Sequence, residues 1–234
     1  MHVDVLEVGA FGANCYLVWE DPGKALVFDP GEDAADIVAM LRERGLRPAA
    51  VLLTHGHTDH ICGLAGVLAT FPCPVFLSPA DAEWCFSEMN DFPPYRAPRV
   101  APSGLRPAAE AAALDVGGLS IEVLATPGHS PGSVCYRVTS PDDAEGVLFT
   151  GDTLFAGTIG RTDLTGGDMR LMGESLRALA ALPESLSIRP GHTENKGIGI
   201  RKFHIRLCVQ IGMIREMKGE GSRSIITVQS ITRT

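Results

Sequence analysis

The sequence predicts an α+β domain. Short β-rich runs, each closed by a turn marked with Gly or Pro, recur between residues 3 and 190, and helical patterns fall between them. Ligand-type residues follow apolar runs at four places, beginning at 54, 126, 151 and 190, so the expected strands deliver chemistry to a shared set of loops.

Residues 3–8 and 15–19 read as strands joined by Gly9-Ala10-Phe11-Gly12, and residues 25–28 as a third after the turn Asp21-Pro22-Gly23. Two hairpin-like connections this close together imply antiparallel pairing. Ala34, Ile37, Val38 and Leu41 then fall at i, i+3, i+4 and i+7, a helix face that Gly45 stops. Pro48 leads into a strand over 50–53. Residues 61–69 are expected to be helical and 75–77 a strand, with Ser78 capping and Pro79 opening a further helix. Residues 90–113, rich in Pro and Ala, read as a long surface excursion. Strands are expected over 119–124, 133–138 and 147–150. A helix starts at Asp168 with Met172, Leu176 and Leu179 on one face, and a short strand covers 187–189.

A chain of 234 residues fits one large domain, or one domain with an appendage, and can bury a sizeable core. The net charge of -8 argues against nucleic acid as the main partner, since phosphate recognition needs surplus Lys and Arg. No apolar run is long enough to span a bilayer, and the start Met1-His2-Val3-Asp4 lacks the pattern of an export signal. Six cysteines without a C-x-x-C pair fit reduced thiols, so a cytoplasmic location is expected.

The densest chemistry lies in Thr54-His55-Gly56-His57-Thr58-Asp59-His60, which holds three of the seven histidines. Imidazole nitrogen and carboxylate oxygen suit zinc and its first-row neighbours. His55 and His57 alternate as at a strand end, and the adjacent Asp59 and His60 must diverge, which suits two ions better than one. His129, Asp152 and His192 each sit in a Gly-marked turn behind a strand. A lone His in such a turn is usually only hydrogen-bonded; three like settings behind a dense cluster point to one centre of five His and two Asp. Two four-coordinate ions need that many donors if one carboxylate and one water bridge them. His2 and His204 stand outside the pattern, and Cys62 reads as a core filler.

The motif H55-x-H57-x-D59-H60, followed by His129, Asp152 and His192, resembles the metallo-β-lactamase superfamily, as do the flanking words TPGHSPGS, FTGDTLF, IGRTD and PGH. Within it the chain looks like the small single-domain bacterial type of the glyoxalase II branch, thioesterases that hydrolyse S-lactoylglutathione. The resemblance runs from about residue 3 to residue 194. It implies an αββα sandwich of two mixed β-sheets flanked by helices, with a hydrolase domain over residues 1–194. It assigns His55, His57 and His129 to a first metal, Asp59, His60 and His192 to a second, and Asp152 to the bridge. The implied cofactors are two divalent ions, zinc first, with iron or manganese as alternatives. The implied reaction is thioester hydrolysis by a hydroxide held between the ions, with Asp152 orienting the bridge and Asp59 tuning the second metal. The partner is then a small-molecule thioester. An aspartate at 152, and His60 after Asp59, separate the chain from β-lactamases that use a cysteine ligand.

The chain departs from glyoxalase II in two places. Gly160-Arg161-Thr162-Asp163 replaces the aromatic G-R-F-F, a feature shared with persulfide dioxygenases, in which one iron is held by two histidines and an aspartate. Their equivalents here would be His55, His129 and Asp152. Residues 195–234 carry eight Lys and Arg against two Glu, which leaves −14 on the preceding 194 residues. That acidic body disfavours the third relative, a phosphodiesterase or RNA nuclease of the same superfamily. Arg161 is read as a structural ion pair in preference to a contact for an anionic substrate.

Overall fold

Alternation within the strands decides how the layers stack. In β2 (Ala13–Trp19), Tyr16 and Val18 face one side and Cys15 and Leu17 the other, and all four are buried. A strand covered on both faces reads as a continuous apolar run, which is what this stretch contains. The computed structural model describes residues 1–192; the basic segment over 195–234 lies outside the described residues.

One sheet runs in the order β1 (His2–Val8), β2, β3 (Lys24–Phe28), β4 (Arg47–Leu52), β5 (Val75–Leu77), β6 (Leu105–Pro107). Its first three strands pair antiparallel and the remainder parallel. The second sheet comprises β7 (Ser120–Ala125), β8 (Val134–Ser140) and β9 (Asp143–Gly151), antiparallel to one another, with β10 (Ser187–Pro190) parallel to β9. Both sheets are therefore mixed, as expected.

The inner faces meet through Tyr16, Leu26, Phe28, Leu52 and Phe76 from the first sheet and Ile121, Tyr136, Val138 and Phe149 from the second. Phe28 stacks on Phe149 at 4.1 Å, and Tyr16 and Tyr136 meet this pair edge-on. Each such aromatic contact adds about 1 kcal/mol beyond area burial. Outside the first sheet lie α1 (Ala34–Glu43) and, after the single turn α2 (Thr58–Ile61), α3 (Leu64–Thr70). Outside the second lies α5 (Met169–Leu179), whose Met172, Leu176 and Leu179 pack on Cys135, Leu148 and Ile188. Asp168 caps α5 by accepting from the Arg170 and Leu171 N–H groups. The result is helix, sheet, sheet, helix.

Four local expectations need correction. The helix expected over 61–69 is two pieces, because the Gly63 N–H is drawn to the carbonyls of Pro30 and Gly31 at 3.0 and 2.8 Å. Asp59 and His60 fall in the first piece, α2. The excursion over 90–113 contains the edge strand β6 and a 3-10 segment, Ala108–Ala113, whose Ala108 and Ala111 enter the inner core. Pro48 lies inside β4, at its start, where the register shifts and leaves Ala49 unpaired. Pro79 does open α4 (Pro79–Ala82), but Ser78 contributes its carbonyl and no side-chain cap.

Asp81, fully buried in α4, ties two distant loops together. Its carboxylate accepts from Gly56 N–H at 2.8 Å, Gly132 N–H at 2.7 Å and the Ser130 hydroxyl at 2.7 Å. Replacing it with Ala strands buried donors on both loops. Asp81→Ala is expected to lose about 3 kcal/mol of stability, read from the urea unfolding midpoint.

Candidate metal centre

The donor-bearing loops all leave the same edge of the sandwich, where hydrogen bonds stitch the two sheets together. Val134 N–H donates to the Thr54 carbonyl at 2.8 Å and Tyr136 Oη to that of Leu53 at 3.1 Å. Asn14 Nδ2 and Tyr16 Oη both donate to the Pro190 carbonyl, at 3.0 and 2.7 Å. Strand ends thus hold the loops beginning at 54, 126, 151 and 190 in one place.

All seven residues singled out from the sequence converge there. His55, His57 and His129 offer ligand atoms within 4.8 Å of one another, as do Asp59, His60 and His192. Asp152 lies between the groups: Oδ2 is 3.4 Å from His129 Nε2 and 3.6 Å from His192 Nε2, and Oδ1 is 3.5 Å from His60 Nε2. Asp59 Oδ2 is 3.2 Å from His192 Nε2.

Neighbouring atoms fix which nitrogen of each ring faces inward. His129 Nδ1 donates to the Arg161 carbonyl at 2.7 Å, and His192 Nδ1 to the Phe11 carbonyl at 3.1 Å. His60 Nδ1 lies 3.2 Å from Asp29 Oδ2. Thr54 Oγ1 donates to that same oxygen at 2.7 Å, so its remaining capacity accepts from His55 Nδ1 at 3.0 Å. Four Nε2 atoms are therefore aimed at the centre. His57 instead turns Nδ1 inward, 2.8 Å from His129 Nε2, with its ring against Trp84 at 5.4 Å.

Asp29, directly after β3, is a residue the sequence reading passed over. It is buried, adopts φ +46°, and receives the Thr54 N–H at 2.8 Å in addition to the contacts above. Its signal was an aspartate directly behind an apolar strand, the same setting as Asp152. Arg161 pairs bidentately with Asp163, at 2.7 and 2.9 Å, as the structural reading expected.

Two buried polar atoms here, His55 Nε2 and Asp152 Oδ1, have no hydrogen-bond partner. One belongs to the first group and the other to the carboxylate between the groups, and leaving such atoms buried and unpaired is costly. A divalent cation answers both, and the nitrogen and oxygen donor set is the one zinc, iron and manganese accept. Charge agrees. Burial and the neighbouring imidazoles push His55 far below the usual histidine range, and burial with His129 pushes His57 down to about 3, so both rings are neutral and ready to ligate. His60 goes the other way, up to about 10, because Asp59, Asp152 and Asp29 outweigh its burial. That spot in the protein favours positive charge. Gly191 next to His192 is required by crowding, since a Cβ there would overlap Asp152 Oδ1 and press on the His60 ring.

Among the described residues no helix is long and apolar enough to cross a membrane. The chain is 31% identical over 210 residues to the hydroxyacylglutathione hydrolase GloC of Haemophilus influenzae, covering 86% of this chain and 95% of that one. It resembles the crystal structure of the BLEG-1 B3 metallo-beta-lactamase, with 35% identity, a TM-score of 0.72 and coverage of 82% and 92% of the two chains. It also resembles TTHA1623 in a di-iron-bound form, with 32% identity, a TM-score of 0.70 and coverage of 84% and 96%. The metallo-beta-lactamase superfamily model matches residues 8–192, a span that contains every donor described above, and the chain belongs to that superfamily.

Proposed function

We propose that this protein is a metal-dependent thioester hydrolase of the hydroxyacylglutathione hydrolase type, acting on a small-molecule thioester with two divalent ions. The observation that carries the reading is Asp152 standing between two donor triads, with its own Oδ1 and His55 Nε2 buried and unpartnered. His55, His57 and His129 would hold one ion, Asp59, His60 and His192 the other, and Asp152 both. Ions bound there supply a water acidic enough to ionise near neutral pH and a Lewis acid for the carbonyl oxygen.

The residues divide the remaining work. Asp152 spans the two triads and keeps its carboxylate facing both. The main-chain acceptors at Arg161 and Phe11, with Asp29 and Thr54, lock the imidazole tautomers so that no ring must reorient during turnover. Burial of His55 and His60 keeps bulk water away from the inner half of the centre. A departing thiol has a pKa of about 8.5, so it leaves as thiolate without a strong acid aimed at it. This fits a site whose carboxylates and imidazoles are all engaged as donors. The relative named as a hydroxyacylglutathione hydrolase and the relative with two irons support the reading.

Metal analysis of protein purified without chelator is expected to give two equivalents of metal. His57→Ala is expected to lower thioester cleavage by at least a hundredfold. A single iron, with oxygen consumed on a persulfide, would replace the hydrolase reading by the dioxygenase one. Turnover of a β-lactam in preference to every thioester would replace it by a lactamase.

Proton competition should differ between the triads. His55 and His57 are held neutral, whereas His60 is raised to about 10 and His192 is also raised, burial being outweighed by Asp59 and Asp152. A raised imidazole stays protonated in the ion-free protein until pH climbs through its pKa, so loading there must displace a proton. Acidifying from about pH 8 to pH 6 is therefore expected to release the ion of Asp59, His60 and His192 first, followed by metal titration against a chromophoric chelator. Asp29→Asn is expected to weaken that same ion by about 10–100-fold, with a smaller loss at the other ion passed on through Thr54 and His55, seen in the same titration.

A further inference from the structure

Five large apolar side chains are exposed among the described residues: Val5, Phe11, Met89, Phe92 and Val100. Phe11, Met89 and Phe92 belong to segments that border the metal centre. Phe11 offers its carbonyl to His192, and its ring meets those of Phe92 at 5.7 Å and Tyr95 at 4.9 Å. The segment carrying Met89 and Phe92 is fastened to the ligand loop, since Asn90 Nδ2 donates to the Gly56 carbonyl at 2.8 Å and the Asn90 carbonyl accepts from Thr58 Oγ1. Tyr95 Oη closes the ring of contacts by accepting the Ala10 N–H at 2.5 Å and the Phe11 N–H at 3.3 Å. Two more aromatics stand at the centre itself: Trp84 against His57, and Phe155 with its ring 6.2 Å from that of His192.

Leaving Phe11 and Phe92 in water is unfavourable, and exposed apolar rings in mutual contact mark a binding surface. Their attachment to the ligand loops makes the reaction's own substrate the natural occupant. Two of the nearby charges point the same way, and Arg96, exposed beside Tyr95, is the cation of this segment without an ion pair among the described residues. Arg161, whose carbonyl orients His129, spends its guanidinium on Asp163, and Arg99 is held by Asp91 at 2.6 Å. A multiply anionic thiol carrier finds no cation in either side chain.

We propose that Phe11 and Phe92 form the acyl-binding rim of the centre, and that the enzyme selects its thioester by an apolar acyl group of several carbons. This inference rests on the thioesterase reading. The test keeps the thiol constant and uncharged: acetyl, butanoyl and hexanoyl thioesters of N-acetylcysteamine, with S-lactoylglutathione alongside, assayed on the metal-loaded full chain. The value of kcat/KM is expected to rise about two- to fourfold per methylene, the gain from burying each one. Phe92→Ala should flatten that rise through KM for hexanoyl, whereas Phe92→Leu, which keeps an apolar surface, should restore most of it. A flat series from an active enzyme, or S-lactoylglutathione preferred over every uncharged thioester, would overturn the acyl rim and leave the hydrolase standing. No cleavage of any thioester by metal-loaded protein would overturn both.

Discussion

Everything at the active edge depends on the mutual electrostatics of five imidazoles and two carboxylates withdrawn from water. His55 and His60 are completely buried, and Asp152 nearly so. Without positive charge between them, facing lone pairs such as those of His57 Nδ1 and His129 Nε2, 2.8 Å apart, compete for a single proton. Burying polar groups under such terms costs several kcal/mol. A fold keeps that arrangement only if something offsets it, and bound divalent metal, for which this donor set is suited, would do so.

The scaffold contributes rigidity at the points where geometry matters. The first sheet carries the ligand loop out of β4 and the second brings in His129, Asp152 and His192. Hydrogen bonds that cross between the sheets keep the two contributions in register. Asp81 and Asp29 act at right angles to this arrangement. Asp81 joins the loop of His55 and His57 to the loop of His129, and Asp29 joins Thr54, at the end of β4, to His60 in α2. Each is a buried carboxylate with several donors, which offset part of its desolvation; at Asp81 burial still prevails and raises the carboxyl above its ordinary pKa.

Much of this was legible in the sequence for physical reasons that can be named. Strands covered on both faces announce themselves as apolar runs, which is why β2, β3 and β4 could be placed within a few residues. The donors could be gathered because the same setting, a His or Asp in a Gly-marked turn behind a strand, recurs three times after the dense cluster over 55–60. What escaped was set by distant partners. The break at Gly63 depends on carbonyls thirty residues earlier, and β6 forms because β5 offers an edge, not because Leu105-Arg106-Pro107 favours a strand. Asp29 was missed because its role exists only once Thr54 and His60 arrive.

Two of the inward-facing rings, His129 and His192, are steadied by peptide oxygens, those of Arg161 and Phe11. Any amino acid at those positions supplies the same oxygen. The side chains at 11 and 161 are thereby released from the catalytic apparatus, although they stand at its threshold. Exchanges at these two positions leave both ring-orienting contacts in place, whatever the new side chains meet. Such a separation of tasks within single residues lets one scaffold diversify without passing through inactive ancestors.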